Sequence, residues 1–256
     1  MATSLLIAAC GSSQGKPNAE GLDQELVDLV APISGESIRN SRELSDEISR
    51  RSYEVNNECL DDKFGKQNWP DFQPDRTRWF DFPDVDELRE YGFHPPGPIE
   101  RDDHESGDPT PTGKAWDDAV EACQEQIAKS DPGRKAFELR NEWGSEVVAA
   151  ARSRDEEVNL WKQAADCLVD LGYPRSAVGD EDAFLAWVTG EEIRLHKTMS
   201  ESEVNKHQRK TAGDYVDCAE HVWKARTKFL SAKRDNWLAS RVDQLRSLSE
   251  QIRSAP

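Results

Sequence analysis

Apolar residues recur along this chain at intervals of three and four, and the runs are interrupted by glycine and proline rather than by strand-like alternation. From Gly21 to Ala31, the positions Leu22, Leu26, Leu29 and Val30 describe a short amphipathic helix that Pro32 ends. A second helix is predicted from Ser37 to Phe64, with Ile38, Leu44, Ile48, Tyr53 and Leu60 on one side and Gly65 as its stop. Between Gln67 and Gly113 the character changes to proline, aromatic and acidic residues. So many aromatics do not suit a disordered linker, so this insertion is expected to be ordered and packed on the helical body, with a short helix from Val85 to Tyr91 and its most flexible part from Glu100 to Thr112.

The second half continues the helical pattern. Helices are predicted from Trp116 to Ala128, with Ala119, Val120, Cys123 and Ile127 inward, and from Arg134 through Phe137, Leu139, Trp143 and Val148 to Ala151. Ser153 and Glu156 have the spacing of a capping box at the entry to the next helix, which places Leu160, Ala164, Cys167, Leu168 and Leu171 on one face. The spacing leaves open whether these two are one long helix or two with a kink. Gly172 ends that helix where a left-handed residue costs least, with Pro174 just beyond. A helix from Asp180 to Thr189 follows, and Ile193, Leu195 and Met199 lead to a final apolar stripe from Val216 to Ile252. If that last helix is continuous from Asp214 to Arg253, it extends roughly 60 Å at 1.5 Å per residue and needs partners along its length. The predicted fold class is mainly α, in three stretches. Residues 1–20 are a tether, 21–132 an N-terminal helical unit carrying the insertion 67–113, and 133–256 a C-terminal unit with the long terminal helix.

Composition tightens this picture. Only 36% of the 256 residues are hydrophobic and 32% are charged, with a formal net charge of -17. A core drawn from so few apolar residues favours narrow-striped helices and covalent cross-links. The acidic balance argues against nucleic acid and against electrostatic adsorption to an anionic lipid surface, because both are polyanions.

At the N-terminus, Leu5-Leu6-Ile7-Ala8-Ala9-Cys10 followed by Gly11 and two serines looks like a bacterial lipobox, in which the cysteine is diacylated and becomes the mature N-terminus. A basic leader and a longer apolar run would complete the pattern, and the true start is expected upstream of Met1. With Cys10 assigned to the lipid, four cysteines remain, and they allow three pairings. Cys59 and Cys167 share a setting: each is in the last turns of a helix, precedes Leu, and lies five or six residues before a glycine stop. Each is followed later by a helix with another cysteine, Cys123 or Cys218. This repeat favours Cys59 with Cys123 and Cys167 with Cys218, and loops of that length stabilise a fold by roughly 4 kcal/mol each in the chain-entropy account. Zinc binding would need closely spaced ligand pairs, and no CxxC is present.

The order Trp161…Cys167-Leu168…Gly172-Tyr173, a charged helix, Asp214-Tyr215-Val216-Asp217-Cys218 and a long closing helix resembles uncharacterised secreted lipoproteins of actinobacteria. In those, a Trp-x-x-Cys-Met…Gly-Tyr stretch pairs with a later Ala-Asp-Val-x-Cys; here Leu168 stands in place of the Met and the Trp-to-Cys spacing is longer. Cys59-Leu60, Tyr91-Gly92-Phe93 and the Cys123 helix are similar to the same group's first half. The resemblance implies a membrane-anchored helical ectodomain on the outer face of the cell membrane, and it carries over no activity.

Reactive constellations are sparse. There is no GxSxG, HExxH or phosphate-cradling glycine loop, and the histidines His94, His104, His196, His207 and His221 are scattered. His104 sits in the acidic stretch Asp102 to Glu105, which reads as a solvated loop. Glu191-Glu192 and Asp155-Glu156-Glu157 read as helix-start charges. No catalytic residue, metal or cofactor is expected. The candidate recognition surface is the aromatic set Trp69, Phe72, Trp79, Phe80 and Phe82, although packing against the body is the plainer role. Two readings follow. One is a non-enzymatic lipoprotein that binds a protein or cell-wall partner; the other is an envelope-glycan hydrolase using dispersed carboxylates, which would need two of them about 5 to 10 Å apart beside stacked aromatics.

Overall fold

A computed structural model describes residues 21–72, 82–93 and 113–254. Helices α1 (Gln24–Val30), α2 (Gly35–Asn40) and α3 (Arg42–Phe64) precede the insertion, which contributes α4 (Val85–Tyr91). Then come α5 (Lys114–Ser130), α6 (Pro132–Trp143), a π-helical turn (Gly144–Val148), α7 (Ala149–Arg152), α8 (Asp155–Asp170), α9 (Glu181–Leu195), α10 (Glu201–Ala239) and α11 (Val242–Ser254). The described residues contain no β-strand, as the period of the apolar positions requires. The predicted bounds of α4 are those observed.

The backbone of the arrangement is α10, 39 residues long, whose two halves serve two different cores. Its first half places Tyr215, Val216, Ala219, Val222 and Trp223 against Trp161 and Leu168 of α8 and Phe184, Leu185 and Val188 of α9, with Leu88 and Phe93 closing one side. Its second half places Leu230, Trp237 and Leu238 against α1, α6 and α11, where Leu26, Leu29, Trp143, Leu245 and Leu248 are buried. Trp143 and Trp237 meet edge to face at 5.3 Å, and the Trp143 Nε1 donates to the Pro32 carbonyl at 2.8 Å. A smaller cluster around Leu60, Ala119 and Cys123 joins α3 to α5. The cores therefore cross the predicted division at 132/133: α1, α3, α6, α10 and α11 share one of them, because a helix as long as α10 reaches partners from both halves of the chain.

Both disulfides form as the repeat suggested. Cys59 and Cys123 tie α3 to α5 with Cα atoms 5.8 Å apart across 64 positions; Cys167 and Cys218 tie α8 to α10 at 5.7 Å across 51 positions. The glycines that stop the two helices, Gly65 and Gly172, adopt φ of 80° and 98°.

Several expected boundaries moved. The final helix begins at Glu201, not Asp214, and breaks at Ser240–Arg241 before α11. There the Ser240 hydroxyl donates to the Trp237 carbonyl at 2.7 Å, and the Arg241 guanidinium stacks 4.0 Å over the Trp237 ring while pairing with Glu142 and Glu146. The predicted Ser37–Phe64 helix is two helices, separated at Ser41, whose hydroxyl donates back to the Ser37 carbonyl at 3.0 Å. The Ser153 capping box does not form: Arg154 occupies the cap position, and the Ser153 hydroxyl donates to the Ala150 carbonyl. A true capping box opens α10, where Ser200 and Glu203 satisfy each other's backbone. Leu171, expected on the inner face of α8, is 49% exposed because the chain turns at Gly172 directly after it.

Candidate functional site

Where the two halves of α10 meet, its outward side forms one wall of a cleft of about 340 Å³. The facing walls are the α1–α2 connection at Ile33, Ser34 and Gly35, and the segment Phe82, Pro83 and Val85 that leads into α4. Local chemistry fixes these walls. The Thr227 hydroxyl donates to the Ile33 carbonyl at 3.0 Å, and Gly35 lies so close to the backbone of Pro83 and Asp84 that an added Cβ would collide with them. Arg42 grips the Glu87 carboxylate with two bonds of 2.7 and 2.8 Å, holding α4 to α3. From α10 come Trp223, an apolar face, and Glu220, Lys224, Arg226 and Lys228.

Directly behind the cleft lies a buried charge cluster. Arg226 is 3% exposed and its partners Glu157 of α8 and Glu181 of α9 are 3% and 5% exposed. The Arg226 Nε donates to Glu157 Oε1 at 2.8 Å, and a terminal nitrogen donates to Glu181 Oε2 at 2.5 Å. Glu181 Oε1 accepts two further bonds, from the Tyr215 hydroxyl at 2.9 Å and the Trp223 Nε1 at 2.8 Å. Arg152 reaches Glu181 at 3.5 Å and Asp182 at 2.6 Å from the outer side. Burial alone would weaken the charge on Arg226, but the Glu181 and Glu157 carboxylates outweigh it and hold the guanidinium above its ordinary range. Burial, reinforced by the Glu181 charge, pushes the Tyr215 phenol well above its ordinary value. Glu157 Oε2 is buried with no hydrogen-bond partner. These carboxylates hold α8, α9 and α10 together, and Glu181 has its acceptor sites filled by fixed donors. The carboxylate that lines the cleft is Glu220, which is paired with Lys224 at 2.9 Å.

Three residues of the predicted aromatic surface, Trp69, Phe72 and Phe82, are described, and they lie apart. Trp69 stacks on Trp116 at 6.1 Å and donates from Nε1 to Asp61 at 2.8 Å, so it packs on the α3–α5 unit. Phe72 lies 5.8 Å from Tyr53 of α3. Phe82 is 8% exposed and belongs to the core beside the cleft. These three therefore do not form one platform; each covers a different apolar patch. Trp79, Phe80, His94, His104 and Cys10 lie outside the described residues. Of the remaining histidines, His221 meets the Leu160 carbonyl at 3.2 Å and His196 stands 3.6 Å from Glu192. Asp155, Glu156 and Glu157 stand in the first turn of α8 as expected, with Glu157 buried on Arg226. Glu191 and Glu192 do not start a helix; they lie near the end of α9, where Glu191 pairs with Arg194. Among the described residues no group of three or more potential metal ligands is gathered, and no helix is long and apolar enough to cross a membrane.

The buried cluster escaped sequence reasoning, yet a signal for it exists. Arg226 follows Val222 and Trp223 and precedes Leu230 at helical spacing, Glu157 stands four before Trp161, and Glu181 three and four before Phe184 and Leu185. A charged residue on each of three apolar stripes is what a buried ion cluster looks like in sequence. Compared with protein-family models, curated proteins and solved structures, the chain matches none.

Proposed function

We propose that this protein is a lipid-anchored, extracytoplasmic binding or accessory protein of a bacterial cell envelope. The observation that carries the reading is the cysteine pairing. Cys59, Cys123, Cys167 and Cys218 are joined in two disulfides, a chemistry that persists in oxidising compartments, and the one remaining cysteine, Cys10, ends the lipobox-like run. The resemblance to actinobacterial secreted lipoproteins supports the same placement. The lipid on Cys10 attaches the chain to the outer face of the cell membrane, and residues 11–18 tether the helical body. The binding role is supported by the preformed cleft, whose lining carboxylate is engaged with a lysine and whose neighbouring glutamates are engaged by Arg226, Tyr215 and Trp223. Its ligand is a protein or cell-wall partner or a small molecule of the envelope.

Replacing Cys10 by Ala tests the anchor. Wild-type protein is expected in the membrane fraction and the Cys10→Ala protein in the soluble extracytoplasmic fraction, both with two intact disulfides. Recovery of both proteins from the cytosol with thiols open to maleimide would overturn the proposal.

A further inference from the structure

The geometry points to the cleft beside Trp223 as a binding site for a monoanionic amphiphile, a molecule with an apolar body of about a dozen heavy atoms and a carboxylate at one end. This inference rests on the binding-protein reading and supplies the class of ligand. At about 340 Å³ the cavity has room for a body of that size. Ile33, Phe82, Pro83, Val85 and Trp223 give it apolar walls, and the one polar atom of the Trp223 side chain is turned inward to Glu181. Those walls reward an apolar guest.

Charge at the rim selects among apolar guests. Lys224 and Lys228 stand one turn apart on the exposed side of α10. Lys224 is neutralised by Glu220, and Arg226 by Glu157 and Glu181. Among the described residues Lys228 has neither an ion pair nor a hydrogen bond. Lys228 therefore places one unpaired ammonium at the mouth of an apolar cleft in a chain whose net charge is -17. It attracts one negative charge and repels a cation. The walls are held by Thr227 on Ile33 and by Arg42 on Glu87, so little ordering is needed when a guest enters.

The test is calorimetric titration of the disulfide-intact full chain carrying Cys10→Ser, with dodecanoate and with dodecyltrimethylammonium, both below their micelle concentrations. The expected result is one dodecanoate per chain, with the cationic homologue at least about tenfold weaker. Lys228→Glu, an exposed change, is expected to weaken dodecanoate by about tenfold, and Val85→Trp, which fills the cleft, to abolish it. Lys228→Glu keeps the test readable should Val85→Trp disturb folding. Equal binding of anion and cation, affinity unmoved by Lys228→Glu, or no dodecanoate binding would overturn the inference. Because the titrated chain lacks Cys10, an empty cleft leaves the anchor standing, and a failed anchor leaves the cleft measurement intact.

Discussion

Arg226 is the residue on which three helices converge, and its environment fixes what its loss does. Removing the guanidinium leaves Glu157 buried without a cation and Glu181 with Arg152 at 3.5 Å in its place, so Arg226→Met is expected to cost about 3 to 5 kcal/mol, read as a lowered urea midpoint. The two glutamates are not equivalent. Glu181 accepts from Tyr215, Trp223 and Arg226, whereas Glu157 accepts from Arg226 and keeps one oxygen unsatisfied. Glu181→Gln is therefore expected to destabilise more than Glu157→Gln in the same unfolding experiment. Tyr215 gives the cluster a pH dependence. Burial and the Glu181 charge raise its phenol in the folded state, and Tyr173 is raised likewise by burial and by its hydrogen bond to Asp214. Folding then favours the protonated phenols, so their contribution is complete below the ordinary tyrosine value near pH 10 and is lost as pH climbs toward the folded values. Stability is expected to fall above about pH 10, with phenolate absorbance from these two residues appearing together with loss of helical circular dichroism. Ionisation of every tyrosine at its ordinary value in a fully folded protein would contradict this.

At the scale of elements, the ends of helices show what sequence conveys and what it hides. Gly172 was legible as a left-handed stop because glycine followed by a near proline is a strong local signal, and its φ of 98° makes the expectation testable. An added Cβ there meets nothing within 4 Å, so Gly172→Ala is expected to cost roughly 1 to 2 kcal/mol through backbone strain alone. Gly133→Ala acts differently, because its Cβ would collide with the Ile48 side chain. The two candidate capping boxes separate motif from structure. Ser200→Ala is expected to cost about 1 kcal/mol and Ser153→Ala within about 0.5 kcal/mol of nothing, since only Ser200 caps a helix. Similar losses in thermal unfolding would show that Ser153 caps α8 after all. The break between α10 and α11 was not legible: neither proline nor glycine stands at Ser240–Arg241, and the bend is held by Arg241 on the neighbouring Trp237 ring and on Glu142 and Glu146, which are 99 and 95 positions away. The π-helical turn at Gly144–Val148, which runs from directly after the buried Trp143 to the buried Val148, was likewise not signalled by a local motif.

Across the whole molecule, two disulfides and one long helix stand in for a large apolar core. With 36% hydrophobic residues in the chain, the described residues spread their buried side chains over two main clusters and a satellite, and α10 links the two main ones. The pairing was readable because Cys59 and Cys167 occupy the same place relative to a helix end and a glycine. The cleft was not, because Ile33, Val85 and Lys228 come from three separate stretches and acquire a common purpose only when α10 lies across them. Each disulfide is expected to stabilise the fold by about 4 kcal/mol, so the Cys59→Ser/Cys123→Ser and Cys167→Ser/Cys218→Ser proteins should each show a lower urea midpoint, and the chain with both pairs replaced a still lower one. The envelope reading depends on the same bonds being present in the cell. Peptide mass mapping of protein taken from its native membrane fraction, run without and with reduction, measures this most directly. The account predicts Cys59 linked to Cys123, Cys167 linked to Cys218, and a diacylglyceryl mass on Cys10; four free thiols and an unmodified Cys10 would contradict it.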